Sequence, residues 1–270
     1  MGVPLHVKSM QMRKHVSMLP HLRFMLPTVC RQHEAGGAAA RFFTLTTGGT
    51  TMAGKLIVIE GLDGSGKATQ AALLAENLRK MGYSVRQITF PNYESDSSAL
   101  IKMYLRGDFG QHPGDVNAYA ASSFYAVDRY AGFKSDWGGF YRDGGVIVAD
   151  RYTTSNAVHQ CAKLPPEQWS HFLQWLFDYE YGLLGIPAPD RVIYLQVDPA
   201  ISQQLMTERY HGDEAKKDIH ERDLAYLASA RAAAEYCAGL LGWDTVACAC
   251  DGAMRTVEDI AADVLGRVQL

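Results

Sequence analysis

The sequence predicts an α/β fold in which a parallel sheet of five strands is covered by helices on both faces. Short apolar runs rich in β-branched residues, such as Leu56 to Ile59, alternate with longer stretches of helical character. Such runs are typical of strands that are buried on both sides, and strand-helix alternation is typical of a parallel sheet. With 270 residues, 47% of them hydrophobic, the chain is long enough for one sizeable domain of this class.

The predicted strands and helices alternate from Lys55 to the end of the chain. The strands cover Leu56 to Ile59, Val85 to Phe90, Val146 to Ala149, Arg191 to Val197 and Thr245 to Ala249. The helices cover an Ala/Leu-rich stretch to Lys80, Ser97 to Leu105, Asn117 to Phe133, Gln168 to Tyr179, one helix on each side of a charged stretch, and a last helix from Thr256. Ligands of such sheets bind at the carboxyl ends of the strands, so residues that follow the strands are expected to share one crevice.

A glycine-rich segment follows the first strand directly. It reads Gly61-Leu62-Asp63-Gly64-Ser65-Gly66-Lys67-Ala68-Thr69 and leads into a helix. Strand, glycine loop, lysine and helix are the parts of a P-loop, whose backbone N–H groups surround phosphate oxygens. The helix N-terminus adds partial positive charge, and Lys67 adds a full charge near the β- and γ-phosphates. The sequence therefore predicts a P-loop NTPase fold with ATP bound at these nine residues.

The residues after the third strand predict a site for the metal and the transferred phosphate. Ala68 stands where a P-loop usually offers a Ser or Thr hydroxyl to Mg2+, so the metal would need a water or a carboxylate from elsewhere. Asp150 could hold Mg2+ directly or through water, and Arg151 could bridge the donor and acceptor phosphates. A purely structural ion pair is the alternative for these two residues.

A polar stretch at about 207–223 separates two predicted helices and is expected to form a lid. Gly212 can act as a hinge, and the basic residues could neutralise charge over ATP. These residues are Arg209, Lys216, Lys217 and Arg222, and a solvated loop remains the alternative for each of them. His211 and His220 have no partners at metal-ligand spacing and are interpreted as ordinary loop residues.

One predicted helix face carries an aromatic ring and an arginine. Tyr125 lies one turn before Arg129, so both side chains are on the same face. Such a pair can stack on a nucleobase and donate hydrogen bonds to its edge. A core aromatic residue with a surface arginine fits the spacing equally well.

Taken together, these segments resemble thymidylate kinase, the family of nucleoside-monophosphate kinases that make dTDP from dTMP and ATP. The resemblance covers about Lys55 to Val268 and is closest to a branch found in Gram-positive bacteria. The residues that carry it are Glu60 to Gln70, Phe90-Pro91, Phe124 to Arg129, Asp150-Arg151-Tyr152 with Ser155 and Gln160, Pro189-Asp190, and the lid.

The resemblance implies roles for single residues. Asp63 is expected to hold the sugar 3′-hydroxyl of the acceptor. Tyr125 is expected to stack on thymine and Arg129 to contact its O4, whereas Arg151 binds the acceptor phosphate and Asp150 lies near the metal. Phe90 and Pro91 would begin the monophosphate pocket, and Tyr93, Ser155, His159 and Gln160 are the other expected substrate-binding residues. Gly64 fits the bacterial type, in which the lid, here Arg209, supplies the catalytic arginine. The resemblance also implies a homodimer.

Two departures from the family pattern keep the acceptor open. Tyr93 stands where the family usually has an arginine, and His159 where it has Tyr or Phe near the sugar 2′ position. The alternatives are a kinase for another deoxynucleotide, a deoxynucleoside kinase, or a nucleotide-binding module without catalysis. A nucleoside acceptor would need a carboxylate base, for which Glu60 is the candidate.

Residues 1–51 differ in composition from the predicted catalytic domain at 52–270. They carry Lys8, Arg13, Lys14, Arg23, Arg31 and Arg41 against one acid, Glu34. This segment is either an organelle transit peptide or an upstream extension of a reading frame that starts at Met52. In both cases we expect it to be disordered.

Composition limits the partners and the compartment. The net charge of −3 gives no indication of nucleic-acid binding, and no apolar run approaches the roughly 20 residues of a membrane span. Five cysteines without CxxC spacing favour a reducing compartment. We therefore expect a cytoplasmic protein, or an organellar one if residues 1–51 are a transit peptide.

Overall fold

The computed structural model of the chain describes residues 53–197, 201–202, 205, 219–221 and 223–270. The predicted leader lies outside the described residues, as do His211 and the basic lid residues Arg209, Lys216, Lys217 and Arg222. Within the described residues, no helix is both long and apolar enough to cross a membrane.

Five parallel strands form the central sheet and confirm the predicted fold class. They are β1 (Lys55–Gly61), β2 (Val85–Thr89), β3 (Val146–Asp150), β4 (Arg191–Gln196) and β5 (Asp244–Ala247). Their order in the sheet is β2-β3-β1-β4-β5. Ile59 is paired with Asp150 across β1 and β3, so the glycine loop after β1 begins beside the end of β3.

The described α-helices connect and follow the strands. They are α1 (Lys67–Lys80), α2 (Ala99–Arg106), α3 (Ala118–Gly132), α4 (Gly138–Arg142), α5 (Thr153–Cys161), α6 (Trp169–Phe177), α7 (Leu224–Leu241) and α8 (Val257–Gly266). One π-helical turn, Phe133–Trp137, follows α3 and another, Asp178–Leu183, follows α6.

The side chains of β1 alternate between two apolar cores, because successive residues of a strand point to opposite faces. Ile57 and Ile59 pack with the apolar residues of α1 and α8. Leu56 and Val58 pack on the other face with apolar residues from α3, α5, α6 and α7. The sheet is thus covered on both faces, which explains why β1 is a continuous apolar run.

A short antiparallel hairpin after β5 was not predicted. Its strands, β6 (Ala249–Cys250) and β7 (Ala253–Met254), are joined by Asp251 and Gly252. Both turn residues have positive φ, 52° and 78°, and Asp-Gly is a favoured pair for such two-residue turns. The predicted strand to Ala249 therefore ends earlier, at Ala247.

A buried ion pair connects α3 to the π-helical turn after α6. Arg129 donates from Nε and Nη2 to the two carboxylate oxygens of Glu180, at 2.7 and 2.6 Å. Glu180 also accepts from Thr153 Oγ1 at 2.8 Å and from Asn156 Nδ2 at 3.2 Å, both on α5. Arg129 and Glu180 are almost completely buried, so their charges depend on each other and on these hydrogen bonds.

Replacing Glu180 with Ala should lower the free energy of unfolding by about 3–5 kcal/mol, because it leaves the Arg129 charge buried without its carboxylate. Urea denaturation measures this loss. Glu235→Ala is the matched control, since Glu235 pairs with Arg231 on the exposed surface of α7. The control should lose less than about 1 kcal/mol. Equal losses in the two variants would contradict this assignment.

Candidate active site

The glycine loop after β1 encloses the amino group of Lys67. Gly64 and Gly66 have φ values of 79° and 84°, in the left-handed region that favours glycine. Lys67 is buried at the start of α1 and donates from Nζ to the carbonyl of Leu62 at 2.7 Å. The loop thus has the backbone and the central cation that a P-loop needs.

A large cavity of about 730 Å³ lies over this loop. Met254 of the hairpin and Glu221 line it from other parts of the chain. Its lining also includes six of the nine predicted ATP-binding residues of the loop: Asp63, Gly64, Gly66, Lys67, Ala68 and Thr69. Of the other three, Gly61 ends β1, while Leu62 and Ser65 contact the amino group of Lys67 from within the loop.

Arg151 connects β3 to the loop through two carboxylates. Its guanidinium forms an ion pair with Asp63, and its Nη1 lies 3.7 Å from Glu60 Oε1. It also donates to Ser155 Oγ on α5 at 3.3 Å. The backbone of Arg151 has φ 65°, which is uncommon for a residue with a side chain and is often found at functional sites.

Glu60 is fully engaged behind this ion pair. Its Oε2 accepts hydrogen bonds from Thr154 Oγ1 at 2.7 Å and Ser155 Oγ at 2.8 Å. Its Oε1 accepts from the backbone N–H of Gly61 at 2.9 Å. A carboxylate that is 1% exposed and holds three donors is a poor general base. The structure therefore argues against the alternative in which Glu60 activates a nucleoside hydroxyl.

Burial and the neighbouring charges together shift the pKa values of Asp63, Asp150 and Lys67. Burial alone would raise the pKa of Asp63, but the charges of Arg151 and Lys67 outweigh it and hold that pKa well below its usual value. Burial raises the pKa of Asp150, although Arg151 and Lys67 oppose the shift. Burial and the neighbouring Arg151 charge lower the pKa of Lys67 to about 8.

A second cavity opens beside the first and contains the whole predicted acceptor site. The two cavities share five lining residues: Asp63, Phe90, Pro91, Tyr93 and Arg151. All ten predicted acceptor residues line the second cavity: Asp63, Phe90, Pro91, Tyr93, Tyr125, Arg129, Arg151, Ser155, His159 and Gln160. Tyr125 and Arg129 therefore share one pocket, but Arg129 is a buried ion-pair partner and not the surface arginine of the alternative interpretation.

Three residues of this site were not recognised in the sequence. Asn156 lines the pocket one turn from Gln160, in a helix from which Ser155, His159 and Gln160 were identified. Glu180 holds Arg129 from a segment that is distant in the chain. His220 lines the pocket and is 6% exposed, so its interpretation as an ordinary loop residue was wrong. A lone histidine beside a charged stretch carries no periodic signal of burial.

The matches to known proteins agree with this geometry. The family model described as thymidylate kinase matches residues 59–239. The thymidylate kinase of Mycobacterium tuberculosis is 33% identical over 170 residues, which cover 62% of this chain and 78% of the relative. The thymidylate kinase of Caenorhabditis elegans is 31% identical over 164 residues, which cover 56% and 66% of the two chains.

The chain belongs to the thymidylate kinase family. A solved thymidylate kinase from Candida albicans has the same fold, with a TM-score of 0.59 and 22% identity, over 80% of this chain and 92% of the solved chain. As a thymidylate kinase, the chain is an ATP-dependent phosphotransferase that converts dTMP to dTDP. The expected closeness to a Gram-positive branch stays a prediction.

The lowered pKa of Lys67 predicts an alkaline limit on ATP use. Above a pH of about 8 the amino group of the free enzyme loses its proton, so kcat/KM for ATP should fall with an apparent pKa near 8. Bound phosphates stabilise the ammonium, and kcat should therefore fall only at higher pH. Steady-state kinetics between pH 6.5 and 10 measure both profiles. Coincident alkaline limbs in kcat/KM and kcat would contradict this assignment.

Proposed function

We propose that the large cavity over the glycine loop binds ATP and that the smaller cavity binds dTMP, with transfer at their common wall. One observation carries this proposal: Asp63 and Arg151 line both cavities. A group held at this wall touches the donor on one side and the acceptor on the other. An in-line transfer requires the two phosphates to meet in this way.

Lys67 and Arg151 supply the fixed positive charge for the transfer. Lys67 lies inside the loop where the β- and γ-phosphates are expected, and Arg151 lies between the two sites. A monophosphate acceptor is already anionic at neutral pH, so the reaction needs positioning and charge stabilisation more than a strong base. The proposed role of Asp63 is to orient Arg151 and to accept a hydrogen bond from the 3′-hydroxyl of dTMP.

Asp150 is the proposed protein ligand of Mg2+, directly or through water. Its Oδ1 is buried and has no hydrogen-bond partner among the described residues. Within the same residues no cluster of three or more His, Cys, Asp or Glu side chains could hold a metal. Magnesium commonly takes one or two carboxylates and completes its shell with phosphate oxygens and water. The single carboxylate of Asp150 fits this pattern. Ala68 offers no hydroxyl to the metal, so Asp150 is the only protein ligand proposed. When bound, the ion neutralises charge on the phosphates.

The proposed contacts with thymine come from α3 and α5. Tyr125 is the proposed stacking residue, and Arg129 the donor to O4. The Gln160 amide lines the same pocket, and neither its oxygen nor its nitrogen has a partner in the described part of the chain. An amide offers an acceptor and a donor side by side, which matches N3–H and O4 of thymine. Phe90, Pro91, Tyr93, Ser155 and His159 complete the proposed acceptor site.

The remaining proposals concern the rest of the chain. Residues 207–223 would form the lid, with Arg209 as a catalytic residue and Lys216, Lys217 and Arg222 over ATP. Residues 1–51 would lie outside the catalytic domain at 52–270. The protein would be cytoplasmic, or organellar if that segment is a transit peptide.

A homodimer would form through helices beside the sheet, and the exposed side chains of Val127 and Tyr130 on α3 support this. Nucleic acid is not a proposed partner.

The proposed reaction is tested by an ADP-release assay on the full chain with Mg-ATP. The acceptors are dTMP, dUMP, dCMP, dGMP, UMP and thymidine. We expect a strong preference for dTMP. A preference for another acceptor would show that Tyr93 and His159 have changed the specificity of the pocket. Tight ATP binding without turnover of any acceptor would favour a binding module.

Replacing Lys67 with Met should lower kcat for dTMP by at least about 100-fold, because the variant lacks the cation at the transferred phosphate. Circular dichroism should show an unchanged fold. Lys80→Met is the control, since Lys80 lies on the exposed end of α1 and pairs only with Glu76 among the contacts described. Turnover retained by the Lys67 variant would refute the assignment of the P-loop.

Replacing Gln160 with Ala should lower kcat/KM for dTMP by about tenfold, the usual effect of losing a ligand hydrogen bond in a buried site. The KM for ATP should not change. Gln174→Ala is the matched control because Gln174 is exposed on α6. A kcat/KM for dTMP equal to that of the wild type in the Gln160 variant would show that Gln160 does not bind thymine.

A further inference from the structure

Glu180 occupies a position at which the helical pattern of its segment predicts an apolar residue. The buried residues of α6 form one stripe along the helix: Trp169, Phe172, Leu173 and Leu176. Glu180 follows Leu176 at the spacing that would continue this stripe, in the π-helical turn, and is 0% exposed. A carboxylate therefore extends an apolar stripe into the core.

The partner of this carboxylate is Arg129 of α3, which is also buried. Replacing both members of a buried ion pair with apolar residues of similar volume is often neutral or even stabilising. A stable core therefore does not by itself require charges at these two positions. Arg129 differs from an ordinary core residue in that it lines the acceptor cavity. This location indicates that the pair acts on the acceptor.

Glu180 fixes the guanidinium of Arg129 along one edge. Its two oxygens accept from Nε at 2.7 Å and from Nη2 at 2.6 Å, so the group is held at two points. Nη1 donates to the carbonyl of Tyr152 at 3.3 Å. A guanidinium has five N–H groups. Those that have no partner among the described residues belong to Nη1 and Nη2, at the end of the group away from Nε.

Glu180 is itself held by α5. Thr153 Oγ1 donates to it at 2.8 Å and Asn156 Nδ2 at 3.2 Å. Asn156 Nδ2 also donates to the carbonyl of Ser122 on α3, at 3.1 Å. The carboxylate thus joins α3, α5 and the π-helical turn, and the direction of the Arg129 guanidinium is set before a ligand binds.

The remaining donors of Arg129 differ in kind from the amide of Gln160, which lines the same cavity. Neither atom of that amide has a partner within the described part of the chain, so the amide can turn either its oxygen or its nitrogen toward a ligand. A guanidinium has donors only, and Glu180 prevents it from turning away. An acceptor on the ligand satisfies these donors, whereas a donor there leaves N–H groups facing one another without an acceptor.

Thymine carries a carbonyl oxygen at C4, and cytosine carries an amino group there. The carbonyl can accept from Arg129, whereas the amino group meets donors. We propose that Glu180 is a positioning residue: by fixing Arg129, it makes the acceptor site select a base with a carbonyl at C4. This inference rests on the proposed function, in which Arg129 donates to O4 of thymine.

The test compares dTMP with 5-methyl-2′-deoxycytidine 5′-monophosphate, which has an amino group at C4 in place of the carbonyl, in the full chain. The ratio of their kcat/KM values measures base discrimination, and dissociation constants from calorimetry measure it without turnover. Glu180→Gln keeps the size of the side chain but removes its charge and one acceptor, so Arg129 is no longer held at both nitrogens. The ratio should fall by at least about tenfold, and the KM for ATP should not change.

Ile260→Ala is the matched control for a loss of stability, because Ile260 of α8 is buried in the core on the other face of the sheet. It removes packing but leaves Arg129 and Glu180 in place, so it should keep the wild-type ratio. Glu180→Asp replaces the Gln variant if that protein does not fold. It keeps the charge but is too short to reach both nitrogens, so the same fall is expected.

A lower ratio in the Glu180 variant together with a retained ratio in Ile260→Ala supports the inference. An unchanged ratio in the folded Glu180 variant, or an equal fall in Ile260→Ala, overturns it. Wild-type protein that does not phosphorylate dTMP would instead refute the proposed function, so the two failures are distinguishable.

Discussion

The active site depends on a partly buried guanidinium held between two carboxylates. Arg151 pairs with Asp63 of the glycine loop, approaches Glu60 at the end of β1, and donates to Ser155 of α5. Removing such charges from water is costly, and the cost is offset only when the partners are placed well. The cluster therefore fixes the loop, β3 and α5 relative to one another before any ligand binds.

The sheet could be predicted because its central strands β1, β3 and β4 are buried on both faces and so appear as largely apolar runs. Strand order along the chain then placed the glycine loop and Asp150 at one edge, as the structure confirms. The hairpin at Ala249–Met254 could not be found in this way, because two-residue strands show no periodicity. Its only signal is the Asp251-Gly252 pair, which indicates a turn but not the strands beside it.

The candidate site was predictable where residues follow strands or share a helix face. Tyr125 and Arg129 were placed together by helical spacing, and the structure puts both in one pocket. Glu180 was missed because its partner is 51 residues away and the π-helical turn that carries it has no sequence signature. His220 was misinterpreted because its burial comes from tertiary contacts with Tyr104 and Tyr226.

The left-handed backbone of Arg151 has a consequence for how this site can change over time. Glycine would adopt φ 65° without strain, whereas a side chain there costs on the order of 1 kcal/mol or more. Glycine would relieve this backbone strain, but it would also leave the carboxylates of Asp63 and Glu60 without their shared cation. The guanidinium at this position therefore serves two purposes at once: it neutralises two carboxylates of the fold, and it lies at the wall between the two cavities.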